Sequence, residues 1–406
     1  MMDRRGGILQ RMPLFLVMIA LVSGGLGGTT PGLAADQPLP ETIQPALDYL
    51  LEVNGSLGTD TVMPDKLAPL VAFILQDKSA DAHYIGTSHE LLDPLVYHEF
   101  DVRQSLAKIL DYAFNPVIPS HVLALSSVRL AYWKEVEGQP GPFPRALSDR
   151  LVNLEAPLVV HGVEHEEITP DLTSGAYYSY DLNRTLMLVR VADRLVWISL
   201  ARQMGPSDVG RKGYVLGPDD AWNYLYSGEK GVNLFGLGWV ETYMYDAFSA
   251  LVFVQEKNSP YRVRCGAFKW LRVGWSNMNF VRPEHIRRGL ERYADTFKAI
   301  IDAPELPAPS QIAAAVDTID ALSPAEMQVQ ARERLGKLAV RYSDDDQFPR
   351  EWYQEDVVNG PYLKALTRRQ LEALIFLDYM KEALGRQSDP GQKLAWSGYG
   401  TGDAIP

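Results

Sequence analysis

The chain has 406 residues, 46% of them hydrophobic, and a formal charge of −12 at pH 7. That length and apolar content supply an ample core, while the acidic balance excludes a broad nucleic-acid or anionic-membrane surface, which needs basic charge. Cys265 is the single cysteine, so no intramolecular disulfide forms.

Residues 1–35 read as a secretory signal. Arg4, Arg5 and Arg11 make a basic leader, residues 12–22 are an apolar run broken only by Pro13, and Gly32-Leu33-Ala34-Ala35 offers the small residues that cleavage requires. A run that short does not span a bilayer, which takes a helix of about 20 residues. The sequence therefore predicts a soluble periplasmic or secreted protein with no transmembrane anchor once the signal is cleaved. Arg4-Arg5 leaves both the general and the twin-arginine export routes open. Without the leader the charge becomes −14.

Residues 36–120 are expected to be an N-terminal helical segment. Leu67, Leu70, Val71, Ile74 and Leu75 share a helix face after Pro64, and Asp101 is placed to cap a helix carrying Leu106, Ile109 and Leu110. His83, His89 and His98, with Glu90, Glu99 and Asp101, fit no metal-ligand spacing and read as solvated loop residues between helices.

Residues 121–282 are expected to be an antiparallel β core. Strands are predicted over 126–136, 158–163, 176–182, 185–191, 195–203, 239–255 and 261–267, with Ala192-Asp193 as a hairpin turn and Leu182-Asn183-Arg184 as another. Residues 283–406 return to helix and end in a loose tail. Ile286, Leu290, Phe297 and Ile301 form one stripe; Ser323-Pro324-Ala325-Glu326 and Thr367-Arg368-Arg369-Gln370 are capping boxes, and Gly385 closes the last helix. The fold class is α+β, a curved antiparallel sheet of six to eight strands flanked by N- and C-terminal helices.

The strands carry a further constraint. Leu186 and Leu188 oppose Met187, Val189 and Val191, and Val196, Ile198 and Leu200 oppose Leu195 and Trp197. Both faces are apolar, so both must be covered, by protein or by a ligand. Nineteen of the chain's 41 aromatic residues fall between Tyr177 and Phe280, which concentrates large apolar area with polar tips in this zone. Tyr178, Tyr180, Trp197, Trp239, Tyr243 and Tyr245 are the candidate ligand-binding residues. The glycines of residues 228–238 would form a loop at the mouth of such a pocket.

One motif points to different chemistry. His161-Gly162-Val163-Glu164-His165 resembles the H-x-x-E-H element of the inverzincins. The resemblance implies zinc held by His161, His165 and a downstream glutamate, here Glu241, with Glu164 as general base. It covers six residues and needs a helix, whereas Pro157-Leu158-Val159-Val160 ahead of it reads as a strand. On a strand the two histidines lie about 13 Å apart. Cys265, within an apolar strand and without a neighbouring histidine, reads as an inert buried thiol.

The sequence thus favours a non-catalytic envelope protein that binds a lipid-like or sugar-like ligand, or docks an envelope protein, through its aromatic β core. No cofactor is expected. A zinc-dependent hydrolase and a structural or assembly subunit are the alternatives.

Overall fold

Period-2 alternation with apolar residues on both sides gives this chain strands that are buried in the middle of a sheet. The computed structural model describes residues 36–55, 62–78, 83–87, 94–140, 154–234, 238–346 and 348–386. The leader, His89, Glu90, Gly236 and the tail from Asp389 lie outside the described residues. In chain order the strands are β1 (Gln37–Pro38), β2 (Tyr84–Thr87), β3 (Pro94–Val102), β4 (Val128–Val136) and β5 (Gln139–Pro140). They continue as β6 (Leu158–Ile168), β7 (Ala176–Tyr177), β8 (Ser179–Val191), β9 (Arg194–Gln203) and β10 (Arg211–Val215). The last are β11 (Tyr224–Lys230), β12 (Val232–Leu234), β13 (Gly238–Val240), β14 (Tyr243–Gln255) and β15 (Val263–Gly274).

The main sheet has the order β1-β2-β3-β15-β14-β9-β8-β6-β4-β5. Its eight longer strands are antiparallel throughout, and only the two-residue edge strand β1 pairs in parallel, with β2. The sheet is open. Smaller β11-β10-β7 and β12-β13 sheets stand beside it.

Helices α1 (Gln44–Gly55) and α2 (Pro64–Leu75) cover one face. Leu47, Leu50, Leu67, Leu70 and Ile74 pack there against Met187, Val189, Ile198, Leu200, Val252 and Phe268. Gly266 permits the approach, since a Cβ there would meet Ile74 Cγ1 at 2.7 Å. The short α3 (Leu106–Tyr112), α4 (Pro283–Ile301), α5 (Pro309–Asp320), α6 (Pro324–Tyr342) and α7 (Arg368–Ala383) gather at the other face. Leu186, Leu188, Trp197 and Phe253 share a core there with Phe297, Ile300, Leu335 and Leu374. Ser323 and Thr367 cap α6 and α7 as their sequences predict. Among the described residues, no helix is long and apolar enough to cross a membrane.

Four expectations are corrected. Leu182-Asn183-Arg184 is not a turn: β8 runs through it, because β6 and β9 pair with it on either side. The strand predicted over 158–163 does not stop there, and β6 continues through the acidic stretch to Ile168. His98, Glu99 and Asp101 belong to β3, paired with β15. Asp101 binds Arg262 at 2.5 Å, and Ser105 caps α3 by accepting from the Lys108 amide. Local signals were ambiguous at these places, and long-range pairing decided them.

Two details fix the sheet's geometry. Ala192 and Asp193 both have positive φ, 45° and 62°, as a two-residue turn of type I′ requires. At the far edge, Arg129 of β4 pairs with Glu167 of β6, both buried, and the guanidinium stacks 3.8 Å from the Tyr226 ring. Glu167 also accepts from Gln370 at 2.9 Å, tying this edge to α7.

Two outcomes are expected. Glu167→Ala leaves a buried guanidinium without its counter-ion, and urea unfolding should show a loss of about 3–5 kcal/mol. Ala192→Asn with Asp193→Gly relieves two exposed left-handed residues and should raise stability by about 1 kcal/mol, read as a higher thermal midpoint.

Candidate functional site

Residues paired directly across antiparallel strands share a face. Arg184, Ala201, Ser249 and Lys269 pair in succession across β8, β9, β14 and β15. They form one row on the face away from α1 and α2. The neighbouring row is Leu186, Ser199, Leu251 and Ala267. Alanine and serine at the centre of these rows keep the floor low, and the elements above do not fill the gap.

The result is a cavity of about 580 Å³, within the roughly 300–1,000 Å³ span of small-molecule sites. Ile286, Leu290, Tyr293 and Phe297 of α4 form its roof, with Phe114 and Trp197 in the walls. Leu172, Phe280, His285 and Arg288 line it where they are also exposed, which marks the rim. The Trp275 and Phe280 rings stack 3.8 Å apart beside the opening.

Ionised groups lie on the floor of this apolar space. Arg184 donates to Glu164 at 2.8 Å, to Glu166 at 2.7 Å and to the Ser199 hydroxyl at 3.2 Å. Glu164, only 1% exposed, also accepts from the Ser120 hydroxyl at 2.7 Å. The Tyr180 hydroxyl donates to Glu166 at 3.4 Å. Burial raises the Glu166 pKa against the pull of Arg184, with the like charge of Glu164 adding to the rise. Burial lowers the Lys269 pKa, and the negative charge of Glu166 opposes the change. His121 lines the same cavity with its pKa lowered to about 4 by burial, so its imidazole is neutral at pH 7.

The candidate aromatics divide. Tyr178, Tyr180 and Trp197 line the cavity; the Tyr178 hydroxyl lies 3.0 Å from Thr242 Oγ1, and Trp197 stacks on Phe253 with centroids 4.4 Å apart. Trp239, Tyr243 and Tyr245 are not among the lining residues. Trp239 is 56% exposed on β13. The Tyr243 hydroxyl donates to Glu241, and Tyr245 accepts from the Asn277 amide. The register shift between Met244 and Asp246 brings Met244 and Ala247, not the tyrosines, to the cavity.

The resemblance to the zinc motif does not survive the fold. His161 through His165 lie on β6, so Glu164 faces the cavity while both histidines face the other way. His161 Nδ1 is 2.9 Å from Thr185 Oγ1, and His165 Nδ1 is 2.8 Å from Asp181. Glu241 is exposed and engaged by Tyr243. Among the described residues no group of three or more His, Cys, Asp or Glu is arranged to hold a metal ion. Cys265 is fully buried, and burial raises its thiol pKa well above the ordinary value.

Arg184, Glu166, Ser249 and Lys269 were not singled out from sequence. For Ser249 and Lys269 the signal was there: each is a lone polar residue between apolar neighbours in a long strand, where a buried polar group needs a partner or a purpose. Arg184 and Glu166 stand among other polar residues and carry no such signal. The chain matches no protein-family model and no curated protein.

A pH test follows from Glu166. Its folded pKa lies above the ordinary 4.5, so from that pH upward the folded state holds more protons than the unfolded one, and stability falls as pH rises through the folded pKa. Glu166→Gln removes this slope. Denaturant titrations from pH 4 to 8 should show the variant gaining on the wild type as pH increases.

Proposed function

We propose that this protein binds an amphipathic, lipid-like small molecule in the cavity between the sheet and α4, as a non-catalytic carrier or sensor outside the cytoplasm. One observation carries the reading: an apolar-walled space of about 580 Å³ lies over a floor of ionised and hydroxyl groups. Apolar concavities with a few fixed polar groups are the usual form of ligand sites. The walls favour a lipid-like molecule over a sugar, because Phe114, Leu251, Leu271, Ile286 and Phe297 offer no hydrogen bonds to hydroxyls. A non-catalytic role is supported by the floor itself, where Arg184 and Ser120 already occupy the carboxylate of Glu164. The export-like leader of residues 1–35 supports the compartment.

Organic-solvent extraction of protein purified from its own cells should release one small amphiphile per chain. Ala201→Phe projects a ring into the cavity from the floor and should abolish uptake of a fluorescent apolar probe, at a cost of about 1–3 kcal/mol in stability. An extract without small molecule, together with equal probe binding by wild type and variant, would sink the reading.

A further inference from the structure

Lys269 stands out among the ionised groups that line the cavity. Arg184 is held by two carboxylates, Glu164 by Arg184 and Ser120, and Glu166 by Arg184 and Tyr180. Lys269 makes no hydrogen bond or ion pair with any described residue, and neither does the hydroxyl of Ser249, its direct partner across β14 and β15. Both line the cavity. They put a cation and a hydroxyl side by side, with Cβ atoms about 5 Å apart, inside apolar walls.

We infer that Lys269 and Ser249 form the head-group subsite of the cavity, and that the molecule bound there is a single-chain amphiphilic carboxylate lying head-inward. This deepens the carrier reading and rests on it. Inside a low-dielectric space a carboxylate on an ammonium is a charge-assisted bond of the stronger kind. Among the described cations that line the cavity, Arg288 also makes no ion pair, but it is exposed at the rim, where water weakens such a pair. The alkyl chain then runs outward along Leu251, Leu290 and Phe297 toward the exposed Leu172 and Phe280. The floor carboxylates do not bar an anion: Arg184 bridges both, and burial shifts Glu166 toward its protonated, donating form. Burial lowers the Lys269 pKa, a cost that a carboxylate beside the ammonium would offset.

The test is calorimetric titration of the full chain, stripped of bound ligand, with dodecanoate and with dodecan-1-ol. Wild type should bind the acid at least about tenfold more tightly than the alcohol, as a charge-assisted hydrogen bond provides. Lys269→Met should lose that preference while keeping alcohol affinity, which shows an intact cavity. Lys269→Arg should restore part of it, and Arg288→Met should leave it unchanged. Equal binding of acid and alcohol by wild type, or loss of the preference in the Arg288 variant and not the Lys269 variant, overturns the carboxylate assignment and leaves the carrier reading standing. Failure of wild type to bind either probe overturns both.

Discussion

A sheet that is apolar on both faces cannot stand in water, and everything else in this fold answers that constraint. The central strands place Met187, Val189, Ile198 and Val252 on one side and Leu186, Leu188, Trp197 and Phe253 on the other. Two N-terminal helices meet the first side, and the C-terminal helices meet the second. The glycine at 266 shows how close the first contact is. On the second side the strands carry Ser199, Ala201, Ala247 and Ser249 beneath α4, and the cavity opens over them.

The charged floor makes sense against that background. Burying Glu164 and Glu166 with Arg184 adds little to stability, because desolvation offsets their attraction. The arrangement is nevertheless well satisfied, with Arg184 shared between Glu164 and Glu166 and Ser120 completing the shell. A satisfied ionic group beneath an apolar space is a preorganised polar surface, and shifted ionisation at such a place is itself a pointer to function. The buried Arg129–Glu167 pair differs in kind: it lies at the sheet's edge, is closed off by Tyr226 and Gln370, and acts as a structural tie between β6 and α7.

Much of the fold was legible locally. The Ser323 and Thr367 boxes, the Ala192-Asp193 turn and the stripe of α4 each depend on a few neighbouring residues, and each is found where its residues predict. What misled was also local. Asn183 and Arg184 resemble a turn when read beside Leu182, yet β6 and β9 pair on either side and hold them extended. His98 and Asp101 resemble loop residues, yet β15 takes them into the sheet. Of the six candidate aromatics, Tyr180 and Trp197 reach the cavity from β8 and β9 and Tyr178 from the break between β7 and β8. Trp239, Tyr243 and Tyr245 belong to an irregular stretch, and a single register shift sends β14's tyrosines elsewhere.

The sequence by itself determined the fold class, the two-sided burial of the central strands, and the inert setting of Cys265, because these follow from composition and from periodicity within single segments. Only the tertiary structure decided that Arg184, Ala201, Ser249 and Lys269 share a row, that Glu164 turns away from His161 and His165, and that a cavity opens above. Those facts depend on strand register and on the fit between a sheet and the helices over it. Both are set by contacts between residues far apart in the chain.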